Sequence, residues 1–250
     1  MVPESLAKFF AENPRLALAF SGGTDSSYLL HAAKQSGCKI RAYYIHSQFQ
    51  PEFELQDARR LADQLKADLT VIEMDVLANP NVAGNPADRC YFCKRALFET
   101  LTARAKADHF DLLIDGTNAS DDAGDRPGMR ALAELKVVSP LRELGITKDM
   151  VRKYARLAEL FTWDKPAYAC LATRVPAGQA ISGELLRKVE RAESALFEMG
   201  FKDFRARVIG NAARLQFRKD EIEQAFARRA EIVAALGRDF DAVLLDLKER

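Results

Sequence analysis

An apolar run, Leu16-Ala17-Leu18-Ala19-Phe20, breaks into Ser21-Gly22-Gly23-Thr24-Asp25-Ser26-Ser27 and resumes at helical spacing in Tyr28-Leu29-Leu30-His31-Ala32-Ala33. That order reads as strand, glycine turn, helix. Such a turn leaves the first amides of the helix without backbone partners, facing whatever lies above the strand end. Two glycines let the backbone come close to an anion and take up positive φ. The hydroxyls add donors, and the helix dipole adds partial positive charge. The stretch is therefore read as a phosphate or pyrophosphate cradle formed by Ser21, Gly22, Gly23, Asp25, Ser26 and Ser27, against the bland alternative of an ordinary tight turn.

The pattern SGGxDSS is not a Walker A loop, which needs G-x-x-x-x-G-K-[ST], and it lacks the G-x-G-x-x-G spacing of a dinucleotide fold. It resembles the PP-loop of the N-type ATP pyrophosphatases. Those enzymes cleave ATP between the α- and β-phosphates and attach AMP to a substrate oxygen.

Around this turn, short apolar strands alternate with amphipathic helices. Helices are expected at 4–12, 52–66, 90–106 and 147–160, with Thr147 as an N-cap. Strands are expected at 38–45, 69–74, 111–115 and 137–141, and a loop at 79–88. The alternation implies an α/β fold, a parallel sheet with helices on both faces. Ligands in such folds bind beyond the carboxyl ends of the strands. That places Ile45 and His46, and Gly116, Thr117 and Asn118, beside the glycine turn as nucleotide-binding candidates. From about Val175 the rhythm changes to helix 182–199, a hairpin at 204–209 and 213–217, helix 219–236 and a strand at 241–246. The expected division is a nucleotide domain, 1–176, and a small C-terminal α+β domain, 177–250, serving a substrate pocket, oligomerisation or both.

Apolar residues make up 48% and charged residues 29% of the 250, enough core for independent folding. A formal net charge of +1 gives no general attraction to nucleic acid or anionic membrane. No secretory leader is recognisable and no stretch reaches the ~20 apolar residues of a membrane span, so a cytoplasmic protein is expected.

Cys90-Tyr91-Phe92-Cys93 opens a helix, where thiolate is favoured. Cys170 lies in Lys165-Pro166-Ala167-Tyr168-Ala169-Cys170. Three thiols fit a [4Fe–4S] cluster with one open iron better than a four-ligand zinc site. A redox pair, a zinc completed by His31, His46 or His109, and plain buried thiols stay open as alternatives. Cys38, at the entry to a strand, reads as a small core residue.

Taken together, SGGTDSS, NPADRCYFCK, DGTNASD, SPLRELGITK, YACLATRVP and the ARVIG, ARLQF, DAVLLDL tail are similar to the LarE family over nearly the whole chain. That family comprises ATP-dependent sulfur transferases of the PP-loop (adenine nucleotide α-hydrolase-like) superfamily, which supply sulfur for the nickel-pincer nucleotide. Some members sacrifice the sulfur of one cysteine and keep dehydroalanine; others hold a [4Fe–4S] cluster on three cysteines.

The resemblance implies the three-cysteine type, with Cys90, Cys93 and Cys170 as cluster ligands and Cys170 also at the sacrificial position. It implies ATP and Mg²⁺, a pyridinium dicarboxylate mononucleotide substrate, a sulfide or other sulfur donor, and a homo-oligomer. Asp25 and Asp121 are the candidate Mg²⁺ ligands. Lys94, Arg142, Arg174, Arg205, Arg207 and Arg214 are the cationic candidates for substrate phosphate. A tRNA thiolase of the same superfamily is the nearest rival, and the absent basic tail and RNA module argue against it. An ammonia-using ligase such as an NAD synthetase, or an ATP-binding stress protein, leaves the three cysteines without a role.

Overall fold

The computed structural model describes residues 2–121 and 126–249. In chain order the elements are α1 (Glu4–Glu12), β1 (Arg15–Ala19), α2 (Thr24–Gln35), β2 (Lys39–His46), α3 (Glu52–Gln64), β3 (Asp68–Glu73), α4 (Pro80–Ala83), α5 (Arg89–Ala107) and β4 (Leu113–Ile114). They continue with α6 (Arg126–Glu134), α7 (Pro140–Glu143), α8 (Lys148–Leu157), α9 (Gly183–Glu198), β5 (Phe204–Ile209), β6 (Ala212–Phe217), α10 (Lys219–Ala227), α11 (Arg229–Leu236) and β7 (Ala242–Leu245). Single 3-10 turns occur at Val76–Ala78 and Leu171–Arg174.

Contacts divide the chain into two units. The first is Met1–Asp75 with Asp88–Ala167, and the second is Val76–Ala87 with Tyr168–Arg250. The stretch before the Cys90 helix thus packs with the C-terminal unit, and the division falls nine residues ahead of the expected boundary at 176.

In the first unit the strands run in the order β3-β2-β1-β4, every pair parallel. Alternation along β1 sends side chains to opposite faces. Leu16 and Leu18 join Leu6, Phe10, Leu29, Leu55, Leu61 and Val151, so α1, α2, α3 and α8 cover one face. Ala17 joins Tyr43, Ile45, Leu101 and Ala105, so α5 covers the other. This is the expected α/β architecture.

Two expectations are corrected here. The strand expected at 111–115 is only Leu113–Ile114, and the one expected at 137–141 is a single bridge between Ile114 and Val138. Pro140 has no amide for a ladder, and with Ser139 ahead of it opens the short helix α7 instead.

In the second unit β5 and β6 form the expected antiparallel hairpin, and β7 adds to β6 in parallel. Val189, Ala192 and Leu196 on α9 are buried, as are the rings of Phe201, Phe204 and Phe217; Phe201–Phe217 and Phe204–Phe217 centroids lie 4.9 and 5.9 Å apart. The helix expected over 219–236 breaks at Arg228 into α10 and α11. The loop expected at 79–88 contains α4, whose N-cap Asn79 accepts from the Asn81 amide at 3.0 Å. No helix among the described residues is long and apolar enough to cross a membrane.

Candidate active site

The glycine turn lies between β1 and α2. Gly22 has φ +70°, and a Cβ there would stand 3.3 Å from Ala58 Cβ on α3. The positive φ disfavours any side chain, and the space beside Ala58 is tight. Gly23 is the N-cap of α2 and carries no side-chain cap, so the first-turn amides are left without intrahelical acceptors. Ser21 and Ser26 tie the turn together: their hydroxyl oxygens are 3.0 Å apart, and the Ser21 amide donates to Ser26 Oγ at 3.3 Å. Ser27 is fully buried with no partner for its hydroxyl.

The end of β4 presses onto this turn. A Cβ on Gly116 would be 2.9 Å from the Ser26 amide nitrogen, a backbone atom that cannot yield. Thr117 donates its hydroxyl to Asp115 Oδ2 at 2.6 Å and its amide to Oδ1 at 3.2 Å. Asp115 is buried, and burial raises its carboxyl above the ordinary value, opposed by the Thr117 and Ser139 hydrogen bonds and the Lys94 charge. Asn118, also buried, donates its side-chain amide to Asp25 Oδ1 at 3.3 Å, and its backbone amide to Asp121 Oδ2 at 2.8 Å. The two expected Mg²⁺ ligands thus meet at Asn118.

Lys148 completes the arrangement. It is the first residue of α8, behind the N-cap Thr147, and its ammonium lies 2.5 Å from Asp25 Oδ2. It was not among the expected site residues, although it ends the SPLRELGITK stretch. Ile45 is buried at the end of β2, beside Ile72 in register. His46 faces two carboxylates: Nδ1 is 3.0 Å from Glu73 and Nε2 is 3.7 Å from Glu52. Its ring is held by these acids.

Cys90 and Cys93 stand one turn apart near the start of α5, on one side of that helix. Arg89, itself buried, approaches Cys90 Sγ with a guanidinium nitrogen at 3.7 Å. In the same unit Lys94 follows on α5, and Arg142 on α7 reaches Met129 Sδ at 3.5 Å. Cys38 lies in the core, its thiol donating to the Asn13 carbonyl and pushed up to about 11 by burial.

In the second unit Cys170 caps the 3-10 turn, its carbonyl accepting from the Thr173 amide at 3.0 Å and the Thr173 hydroxyl at 2.8 Å. Arg174, expected to grip substrate phosphate, has a side chain 0% exposed and does something else. It donates to both oxygens of Glu193 at 2.8 Å, and to the Ala169 and Cys170 carbonyls at 2.7 and 3.3 Å. Glu193 also accepts from the Tyr168 hydroxyl and from the Ala206 amide. This hub links the Cys170 turn to β5.

Arg205 and Arg207 flank Ala206, and Arg207 is opposite Arg214 on β6. Alternation puts all three on one face. Arg205 is buried, 5.2 Å from the centre of the Tyr168 ring, and burial beside Arg174 lowers its pKa to about 10, still charged at neutral pH. Arg207 donates to the Thr173 carbonyl at 3.0 Å, and Arg214 lies 3.4 Å from Asp246.

Residues 4–84 match the model of the asparagine synthase family, which covers the glycine turn. An uncharacterized protein of Synechocystis sp. is 39% identical over 225 residues, 88% of this chain and 83% of its own length. An uncharacterized protein of Methanocaldococcus jannaschii is 31% identical over 89% of this chain and 84% of its own length. The pyridinium-3,5-bisthiocarboxylic acid mononucleotide synthase of Lactiplantibacillus plantarum is 28% identical over 204 residues, 81% of this chain and 74% of its own length. The chain is a LarE-like member of the PP-loop family. As such it is an ATP-dependent sulfurtransferase, and the turn at Ser21–Ser27 lies within the matched residues.

The oxygen donors of this LarE-like chain suit Mg²⁺, a hard cation. Asp25 and Asp121 would hold it, Asp25 exchanging Lys148 for the metal, and Mg²⁺ would neutralise phosphate charge. The thiols are less complete as a cluster site. Cys90 and Cys93 form a donor pair, but among the described residues no three His, Cys, Asp or Glu side chains gather to hold a metal.

Proposed function

We propose that this chain uses ATP to adenylate a carboxylate of a pyridinium dicarboxylate mononucleotide and replaces the activated oxygen by sulfur, a step in making a nickel-pincer nucleotide. The observation that carries the reading is the PP-loop as built: open first-turn amides of α2, Gly116 pressed against Ser26, and Lys148 beside Asp25. The substrate class rests on the similarity to the Lactiplantibacillus synthase.

A carboxylate resists substitution because oxide is a poor leaving group. Its oxygen attacks the α-phosphorus of ATP, the α–β bridging bond breaks, and pyrophosphate leaves. The loop amides, the helix dipole and Lys148 stabilise the charge that builds on that leaving group. The acyl-adenylate then has AMP as its leaving group. A sulfur nucleophile adds to the carbonyl carbon and the C–O bond to AMP breaks. Arg207 and Arg214, with Arg205, form the basic face for the substrate's phosphate.

For the sulfur we infer a role for Cys90, Cys93 and Cys170. A [4Fe–4S] cluster on these thiols, when bound, supplies inorganic sulfide. The pairing of Cys90 and Cys93 on one turn favours this route. In the alternative, the Cys170 thiolate attacks the acyl-adenylate, forming a thioester. Loss of its α-proton then breaks the Cβ–S bond, releases the thiocarboxylate and leaves dehydroalanine. Free thiols and ATP use suit the cytoplasm.

The deciding experiment is iron and acid-labile sulfide analysis of protein purified without oxygen, followed by turnover with ATP and the dicarboxylate nucleotide. The cluster route expects about four irons per chain, lost in Cys90→Ala, Cys93→Ala and Cys170→Ala. An iron-free protein whose Cys170 peptide loses one H₂S after turnover supports the alternative. Pyrophosphate release that requires tRNA instead of the small substrate overturns both.

A further inference from the structure

The segment leading toward Cys170 is fastened at two points, one at the start of α2 and one on α3, both inside the first unit. Thr24, the first residue of α2 and almost wholly buried, donates its hydroxyl to the Thr162 carbonyl at 2.7 Å. Three residues on, the Lys165 ammonium lies 2.7 Å from Asp57 Oδ2 and 5.5 Å from the centre of the Phe53 ring. Phe53 and Asp57 are one turn apart on α3 and share a face. Ala58, next to Asp57, is the residue a Gly22 side chain would strike; its backbone nitrogen is 3.4 Å from that position. Residues 162–165 therefore run from the start of α2 to the part of α3 that backs the glycine turn.

Each lysine flanking the turn rests on an aspartate: Lys148 on Asp25 and Lys165 on Asp57. The Lys165 and Asp57 side chains keep 16% and 28% of their exposure. A partly buried pair still reaches water, and its lysine can be drawn to a more highly charged anion. Lysine carries its charge on a flexible four-carbon stem, so the ammonium can swing several ångströms without moving its backbone.

We propose that Lys165 is a second phosphate-binding cation of the nucleotide site, held by Asp57 until a polyphosphate enters the loop. The several negative charges of pyrophosphate outweigh the single one of Asp57, and the ammonium turns from α3 to the ligand. This deepens the reading of residues 21–27 as the pyrophosphate cradle and rests on it. Because Thr162 and Lys165 bracket Trp163, the only tryptophan of the chain, the exchange alters the surroundings of that ring, which carries the Arg156 guanidinium 5.1 Å from its centre.

The test titrates inorganic pyrophosphate with Mg²⁺ into the full chain, following Trp163 fluorescence and the heat of binding. Lys165→Met is expected to weaken binding about 10-fold or more, the range of one charge-assisted hydrogen bond. Lys165→Arg is expected to retain most of the affinity. Asp57→Asn is expected to tighten binding, since it releases the ammonium without removing it. The opposite signs separate a ligand-binding lysine from a structural strut: a mere strut weakens both variants alike, and that result overturns the proposal. Should Lys165→Met fail to fold, the sign of Asp57→Asn decides alone. Equal binding by the wild type and all variants overturns the Lys165 assignment and leaves the loop reading standing. A wild type that binds neither pyrophosphate nor ATP overturns the loop reading and this proposal with it.

Discussion

Around the PP-loop, charged side chains are held loosely. Lys148 and Lys165 each rest on one aspartate, the four side chains retain between 16% and 28% of their exposure, and the first turn of α2 has no side-chain cap. The charged cluster behind Cys170 is built the other way. Arg174 and Glu193 are 0% and 2% exposed, and Glu193 accepts from Arg174, Tyr168 and the Ala206 amide. Groups that must meet a ligand are left exchangeable, whereas groups that must hold a turn in place are saturated and dry. The same residue type, a cation near an expected phosphate, thus serves opposite purposes in the two units. Only burial and the number of partners tell them apart.

The sharpest way to break that comparison is Glu193→Ala. It strands a buried guanidinium, and losing one partner of a buried pair costs about 3–5 kcal/mol. Urea unfolding followed on the second unit should show that loss, and the Cys170 turn should open to alkylation. Asp25→Ala removes a partly buried ion pair and the acceptor of one Asn118 hydrogen bond, so stability should fall by less, about 1–2 kcal/mol. Comparable losses from the two substitutions would remove the distinction.

Gly116→Ala comes next. Its Cβ meets the Ser26 amide nitrogen at 2.9 Å, so either β4 or the loop must shift. ATP-dependent pyrophosphate release should fall about 10²–10³-fold, the effect of losing an aligned donor for developing charge. Thermal stability should change far less than turnover does. A variant with wild-type turnover would show that the β4 end is not part of the site.

Much of the fold was legible because its signals are local. The strand–turn–helix at 16–33, the N-cap Thr147 and the alternating hairpin at 204–217 depend on neighbours in sequence, and each appears as expected. The strand expected at 137–141 failed because an apolar run ahead of Pro140 cannot say whether the chain pairs or turns. The site residues that went unnoticed, Lys148, Asp57 and Lys165, become visible only when α8, α3 and the 162–165 segment reach the loop. Two of them stood inside quoted motifs without an assigned role. Glu193 had a faint signal, a carboxylate four residues after Val189 on the buried stripe of α9, but its partner is 19 residues away and could not be named. Arg174 shows the reverse error: a basic residue beside Cys170 suggests a phosphate, and burial shows it spent on Glu193 and the backbone.

Arg205 sharpens the comparison at smaller magnitude, because it is buried like Arg174 but its pKa moves the other way; Asp203 stands at 3.8 Å. Burial depresses its pKa, so the charged form costs folding energy at neutral pH. Arg205→Met should stabilise the second unit by about 1 kcal/mol while weakening substrate binding. Stability and affinity moving in opposite directions would identify a cation retained for a ligand. If both fall together, Arg205 belongs with Arg174 as a structural residue.

The smallest expected effect is on pH dependence at Asp115. Burial raises its carboxyl pKa, so the folded chain holds that proton more tightly than the unfolded chain, whose value is near 3.8. Stability from this group is therefore fully present below that value and is lost as pH rises through the raised folded value. Asp115→Asn keeps an acceptor for the Thr117 hydroxyl and removes the titration. Relative to wild type, the variant should gain stability between about pH 4 and about pH 7, read from urea midpoints at the two values. The carboxylate would then resemble the second unit's interior, polar and buried, while lying one residue from Gly116 at the PP-loop. A variant that loses ground on the way to neutral pH would mean that the charged form is the one favoured, with Lys94 as its partner. Asp115 would then belong with Asp25 and Asp57 among the carboxylates that hold a lysine near the nucleotide.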